Sequence, residues 1–253
     1  MQDNMKKVII PIICMLIVSA LILPGLSCSG ATNKPYYYPV RPGTPEWATL
    51  SGLPGMIEAC QIPDKTLERL TTSALIDSVL DYPLMLNIWA FNSPQQGFDS
   101  VSSYFNGFAE MFNRPDIGNE LISRYQRYDP AAVSKDWSMI RQGQYTIKLG
   151  EIEIILAQKE FIGKLTEKEK RALLTEALNK YDAKLHSDLY GPLSDSSLWV
   201  AGRVLEVTQD LAFLVEINED PDLGDFLEKG DFGFDAALET ILTQSRRYLS
   251  DTY

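Results

Sequence analysis

The residues that could do chemistry here are few: three cysteines, one histidine, and 34 acidic side chains against 23 Lys and Arg. With His186 alone and no closely spaced cysteine pair, a zinc site of the usual kinds is excluded. His186 follows Leu185 near the end of an expected helix, where the macrodipole favours a cation and asks nothing more of it. Cys60, within Met56-Ile57-Glu58-Ala59-Cys60, has no His beside it and reads as a small buried apolar residue.

The densest acidic run, Asn218 to Gly233, invites a calcium test. Taking Asn218 as place 1 of an EF-hand puts Asp220 and Asp222 correctly at places 3 and 5. It then puts Leu223 where Gly is needed and Lys229 where the bidentate Glu belongs, so the pattern fails. Asp220, Asp222 and Asp225 stay as candidates for another kind of cation site, the plainer reading being aspartates that cap helices in a solvated loop. Asp231-Phe232-Gly233 spells a kinase tripeptide without the Gly-rich loop or catalytic loop that gives it meaning. No G-x-S-x-G, H-E-x-x-H or Walker A pattern occurs. No catalytic residue is singled out and no cofactor is called for. A carboxylate-pair hydrolase stays open as the alternative to a binding role.

One region reads as a binding surface. Tyr82, Trp89, Asn92 and Gln96 lie close in sequence and flank two turns, which would give polar amides on an aromatic wall. The plainer reading is core aromatics, with Asn92 and Gln96 satisfying helix ends.

The elements that must position these residues read as helices, about nine or ten in a multi-helix array with short connections. Starts are marked by Thr44-Pro45, Ile62-Pro63-Asp64, Thr71, Ser93-Pro94, Arg114-Pro115-Asp116, Asp129-Pro130 and the capping box Thr166…Glu169. Phe98, Val101, Phe105, Phe108 and Phe112 predict one long helix, and Leu198 to Ile217 another, apolar nearly all round and therefore central. Leu173, Leu174, Ala177, Leu178, Tyr181 and Leu185 form the expected buried stripe of the capping-box helix. Residues 144–162 are two-sided: Tyr145, Ile147 and Leu149 alternate like a hairpin, whereas Ile152, Ile155 and Leu156 have helical spacing. Helix is the expectation.

The first 27 residues read as a secretory signal peptide. Lys6 and Lys7 precede an apolar run from Val8 to Leu23, and Pro24-Gly25 breaks it. A retained anchor is the other reading, but sixteen residues interrupted by Pro11 fall short of the roughly 20 that span a bilayer. Gly25-Leu26-Ser27-Cys28 resembles a bacterial lipobox, with its first two places inverted. It implies lipidation of Cys28 and attachment to a membrane through that lipid. Residues 28–43 then read as a tether and extended arm, and 44–253 as a single helical domain.

Composition sets the remaining limits. The apolar 45% and charged 23% are those of an ordinary globular chain. A net charge of −11 removes the counterion-release term that drives nucleic-acid binding, which excludes that class of partner. The stretches Tyr38–Trp47, Asp81-Tyr82-Pro83-Leu84, Phe91-Asn92-Ser93…Gly97-Phe98-Asp99 and Ile155-Leu156-Ala157-Gln158 resemble a family of secreted or lipid-anchored helical bacterial proteins without an assigned activity. The resemblance runs from about Tyr38 to Leu185. It implies an envelope location and a helical body, and offers no catalytic residues. The expectation is an exported, lipid-anchored, non-enzymatic binding or assembly module with an envelope protein or glycan partner.

Overall fold

The computed structural model describes residues 30–231, 233 and 235–251. The expected leader and Cys28 lie outside these residues. Thirteen α-helices occur among them: α1 (Gly52–Ala59), α2 (Asp64–Leu67), α3 (Thr72–Leu80), α4 (Pro94–Tyr104), α5 (Asn106–Asn113), α6 (Ile117–Arg127), α7 (Met139–Leu156), α8 (Lys159–Ile162), α9 (Glu167–Leu185), α10 (Asp195–Val207), α11 (Leu211–Glu219), α12 (Pro221–Lys229) and α13 (Asp235–Ser250). Four short 3-10 helices join them, at Trp47–Thr49, Met85–Ala90, Pro130–Ala132 and Gly191–Ser194. No strand occurs among the described residues, and residues 144–156 are helical throughout. The chain is an all-α multi-helix array.

The helix number exceeds nine or ten in part because both expected long helices are broken, and in part because short helices such as α8 (Lys159–Ile162) stand apart from their neighbours. The first stops at Phe105, whose backbone is extended (φ −107°, ψ 116°). The amides of Gln61 and Asn106 take up the backbone groups freed there. Gln61 Nε2 donates to Tyr104 O at 2.9 Å and Gln61 Oε1 accepts from Asn106 N at 3.0 Å. Asn106 in turn receives Ile62 N at 3.1 Å and donates to Ile62 O at 2.7 Å. The two halves still bury all five expected apolar residues, because the break turns the aromatic row without removing it from the core. Tyr82 stacks on Phe105 at 3.8 Å, and Phe105 meets Phe108 edge to face at 5.8 Å. The second long helix is broken by Gln209, at φ 55°, followed by Asp210, whose carboxylate caps α11 through Phe213 N at 2.9 Å.

The centre of the array is α10, buried on every side from Ser196 to Leu205 and packed against α7, α8, α9, α11, α12 and α13. Trp199 is its largest buried side chain, and its indole N–H reaches Leu227 O at 2.8 Å. The capping box of α9 is present in full, with Thr166 and Glu169 bonded reciprocally. Its expected apolar stripe is corrected at one end. Leu185 is exposed, and the neighbouring Lys184 is buried in its place.

The expected tether folds back at its described end. The described residues from Ala31 onward form one compact unit that includes the arm. Thr32 pairs with Leu70, Tyr36 N donates to Ser78 Oγ at 2.8 Å, and buried Tyr38 donates its hydroxyl to Ser78 O at 2.8 Å. No helix among the described residues is long and apolar enough to cross a membrane.

Candidate functional site

One face of α7 organises a cleft. Arg141, Gln144, Lys148 and Glu151 recur three or four residues apart, which places them along a single stripe of the helix. At Gln144–Glu151 this stripe forms one wall of a cleft of about 400 Å³. The opposite wall is the end of α3 and the start of the Met85–Ala90 3-10 helix: Leu80, Asp81, Tyr82, Pro83, Met85 and Leu86. The lining is mostly apolar with a few converging polar groups, which is the usual composition of a ligand pocket. Gly150, on the adjoining face of α7, lets Trp89 lie against the helix; a side-chain carbon there would come within 3.1 Å of the indole.

The polar floor is a coupled set. Lys148 Nζ lies 3.1 Å from Glu151 Oε2 and 3.9 Å from Asp81 Oδ1, and it also donates to Leu80 O. Glu151 is buried, whereas Asp81 is exposed at the rim. Burial pushes the Glu151 carboxyl above the usual carboxylate range; the Lys148 ammonium opposes this and the Asp81 charge adds to it. A carboxyl raised in the fold gives stability that is full below its unfolded value of about 4.3 and is lost as pH rises through the raised value. Glu151→Gln removes that loss. The wild-type Tm therefore falls relative to the Glu151→Gln variant as pH rises from about 4 toward neutrality. Parallel Tm profiles across that span would show that Glu151 does not titrate this way.

A second, shallower cleft of about 330 Å³ adjoins the first, sharing Gln144 and Lys148. Its other lining residues are Tyr128, Trp137, Arg141 and Tyr145. The Arg141 guanidinium lies over the Trp137 ring at 3.9 Å, and Tyr145 meets Trp137 at 5.7 Å and Tyr128 at 5.5 Å.

The four residues expected as a binding surface are placed differently from one another. Tyr82 is buried with its ring on Phe105, so it lines the cleft without offering its aromatic face. Trp89 is half-buried, and its indole N–H has no hydrogen-bond partner among the described residues. Asn92 and Gln96 are exposed and paired at the start of α4, where Gln96 Oε1 accepts from Asn92 N at 3.3 Å. Only Tyr82 belongs to the α7 cleft.

The acidic stretch, expected as a loop with one turn of helix at Leu223–Leu227, carries the longer helix α12 (Pro221–Lys229) around that turn. Asp220 caps α12, accepting from Asp222 N at 3.0 Å and Leu223 N at 3.4 Å, and Asp225 pairs with Lys229 at 2.6 Å. Asp222 is exposed in the first turn of α12. Among the described residues no group of three or more His, Cys, Asp or Glu side chains could hold a metal ion. His186 is the C-cap of α9, its Nδ1 2.7 Å from Asp182 O. Cys60 is buried, with burial pushing its thiol up, so it is poorly disposed to act as a nucleophile.

Sequence reasoning missed one group altogether. Glu153 on α7 is fully buried and accepts from Tyr125 Oη and Ser197 Oγ, both at 2.7 Å, from Lys184 Nζ at 2.5 Å, and from Ser196 Oγ. Lys184 Nζ also lies 3.3 Å from Ser196 Oγ and donates to Leu193 O at 2.9 Å. Serine beside lysine suggests nucleophilic catalysis. Here Glu153 holds the ammonium, and neither α7 cleft is lined by any member of the group. It serves to join α6, α7, α9 and α10. Compared with known proteins, the chain matches no family model, no curated protein and no solved structure.

Proposed function

We propose that this chain is an exported, lipid-anchored protein of the bacterial envelope that acts as a non-enzymatic binding module, with the cleft between α7 and Leu80–Leu86 as its ligand site. One observation carries the reading: apolar walls enclose a floor on which Lys148 is ion-paired to buried Glu151. Such a floor offers an ammonium, a carboxyl and the Gln144 amide to a ligand that has one apolar face and several hydrogen-bonding groups. A saccharide unit of an envelope polymer fits that description. The hydrolase alternative rests on Asp81 and Glu151 as two carboxylates at one cleft. Lys148 lies close to both, and an intervening ammonium neutralises the pair that hydrolysis would use.

The test has two arms. Soluble envelope glycan fragments are screened by thermal shift against the wild type and a Lys148→Met/Glu151→Gln variant. A ligand at 100 times its Kd adds about 2.7 kcal/mol of stability, and the double variant is expected to lose most of it. No shift with any fragment would overturn the binding site, and cleavage products by mass spectrometry would establish the hydrolase. In the second arm, Cys28→Ser abolishes acyl labelling and releases the protein from membranes. Continued membrane association of the unlabelled variant would overturn the lipid anchor.

A further inference from the structure

At the first turn of α7 two large apolar side chains stand in solvent side by side: Met139 is 86% exposed and Ile140 75%. They are not the loose end of a floppy segment. Ser138 caps the helix by accepting Arg141 N at 3.3 Å, and Gln142 Nε2 ties the preceding turn together through Ser134 O at 3.1 Å and Trp137 O at 3.3 Å. The flanking residues Trp137 and Arg141, the guanidinium stacked on the indole, belong to the aromatic cleft with Tyr145 and Tyr128. An apolar pair held outward by a rigid turn gains nothing from water, so it calls for a partner surface.

The local charge says what kind. In a chain of net −11, the stretch from Arg127 to Arg141 carries Arg127, Lys135 and Arg141 against Asp129 and Asp136. Asp129 already caps Ala131 N at 2.9 Å. The Met139 and Ile140 amides are at the first two positions of an 18-residue helix, where the helix itself supplies no acceptor and the dipole favours a phosphate. Arg141 sits in that same turn, where a cation is unfavourable unless an anion joins it. Phosphate-binding groups and inserted apolar side chains on a single turn match one chemistry, a phospholipid surface. Indole and guanidinium sit at its headgroup level and the apolar pair below.

We infer that the Trp137–Arg141 turn is a membrane-interface contact, a second point of attachment independent of any lipid on Cys28. It orients the body on the bilayer, with the α7 clefts adjacent to the lipid surface.

The test uses the chain from Ala31 onward, which forms one compact unit, sedimented with vesicles of equal phosphatidylethanolamine and phosphatidylglycerol or of phosphatidylcholine alone. The wild-type body is expected to bind the anionic vesicles better, and more weakly as salt rises. Met139→Ser/Ile140→Ser is expected to lower the partition coefficient by at least about tenfold with an unchanged Tm, since both side chains are exposed in the free protein. Arg141→Gln is expected to weaken binding to the anionic vesicles and leave the phosphatidylcholine result unchanged. Wild-type body that sediments with neither vesicle, or a double variant that binds as well as wild type, would overturn the inference. So would complete displacement by inorganic phosphate, which would mark a free-phosphate site instead.

Discussion

Lys184→Met lowers stability by about 3–5 kcal/mol, the cost of leaving one partner of a buried ion pair alone. Methionine nearly matches the lysine stem in length, so packing is conserved and the loss is electrostatic. Glu153 keeps hydroxyl donors from Tyr125, Ser196 and Ser197 but loses the Lys184 ammonium. In the wild type, burial pulls the Lys184 ammonium below the usual lysine range while the Glu153 charge works against this. Without Lys184 the Glu153 charge is left buried with hydroxyl donors alone. Denaturant unfolding of Lys184→Met, Glu153→Gln and the double variant checks this. The double variant is expected to be more stable than Lys184→Met alone, because the orphaned charge is gone while the amide oxygen still accepts from the hydroxyls. A double variant at least as unstable as the sum of the singles would show that steric fit, not charge, governs the site.

The same group shows where sequence stops being informative. Glu153 sits in Gly150-Glu151-Ile152-Glu153-Ile154-Ile155, and its partners lie 28 residues before it and 31 to 44 residues after it. Nothing local distinguishes it from a solvated glutamate. The C-terminal half of α7 is buried on every side, so its apolar residues follow neither a period of two nor one of 3.6. The alternation at Tyr145 and Ile147 lies ahead of it, where both half-buried side chains line the clefts. Local grammar was readable wherever one side chain meets its own backbone, as at Thr71, Ser93 and Thr166, each bonded to the amide three residues on. The break at Gln209-Asp210 carried a capping residue, but the apolar stripe from Leu198 to Ile217 outweighed it. The break at Phe105 was not readable, because Gln61, over forty residues away, supplies its hydrogen bonds.

The cleft was half legible. Arg141, Gln144, Lys148 and Glu151 have helical spacing that could have been read as one polar stripe. Tyr82 was singled out as an aromatic surface, and what it offers the cleft is not its ring. Its partner wall, Leu80–Leu86, comes from sixty residues upstream, and no spacing rule brings the two together. The apolar pair at Met139–Ile140 looks in sequence like the start of any buried helix. Only the fold reveals that it faces out.

Gly97→Ala destabilises by at least about 3 kcal/mol, the upper end for forcing extra volume into a packed site. Gly97 is buried in α4, where the helix crosses the Met85–Ala90 3-10 helix. A methyl there would fall inside the van der Waals surface of the Ile88 carbonyl oxygen, 2.8 Å from the carbonyl carbon and 3.0 Å from Ile88 Cα. All three atoms are backbone, so no rotamer change relieves the clash; one of the two helices has to move. In an exposed helix the same change would be stabilising by up to about 1 kcal/mol, since alanine is the better helix former. The sign of the effect thus reports the helix crossing itself. The displaced segment runs from Met85, which lines the α7 cleft, to Ala90, so ligand affinity at the proposed cleft site is expected to fall along with stability. Thermal unfolding of Gly97→Ala checks the first effect, and glycan titration of the folded fraction checks the second. A neutral or raised Tm would mean that α4 and the 3-10 helix do not pack at this distance, and the wall of the cleft would have to be redrawn.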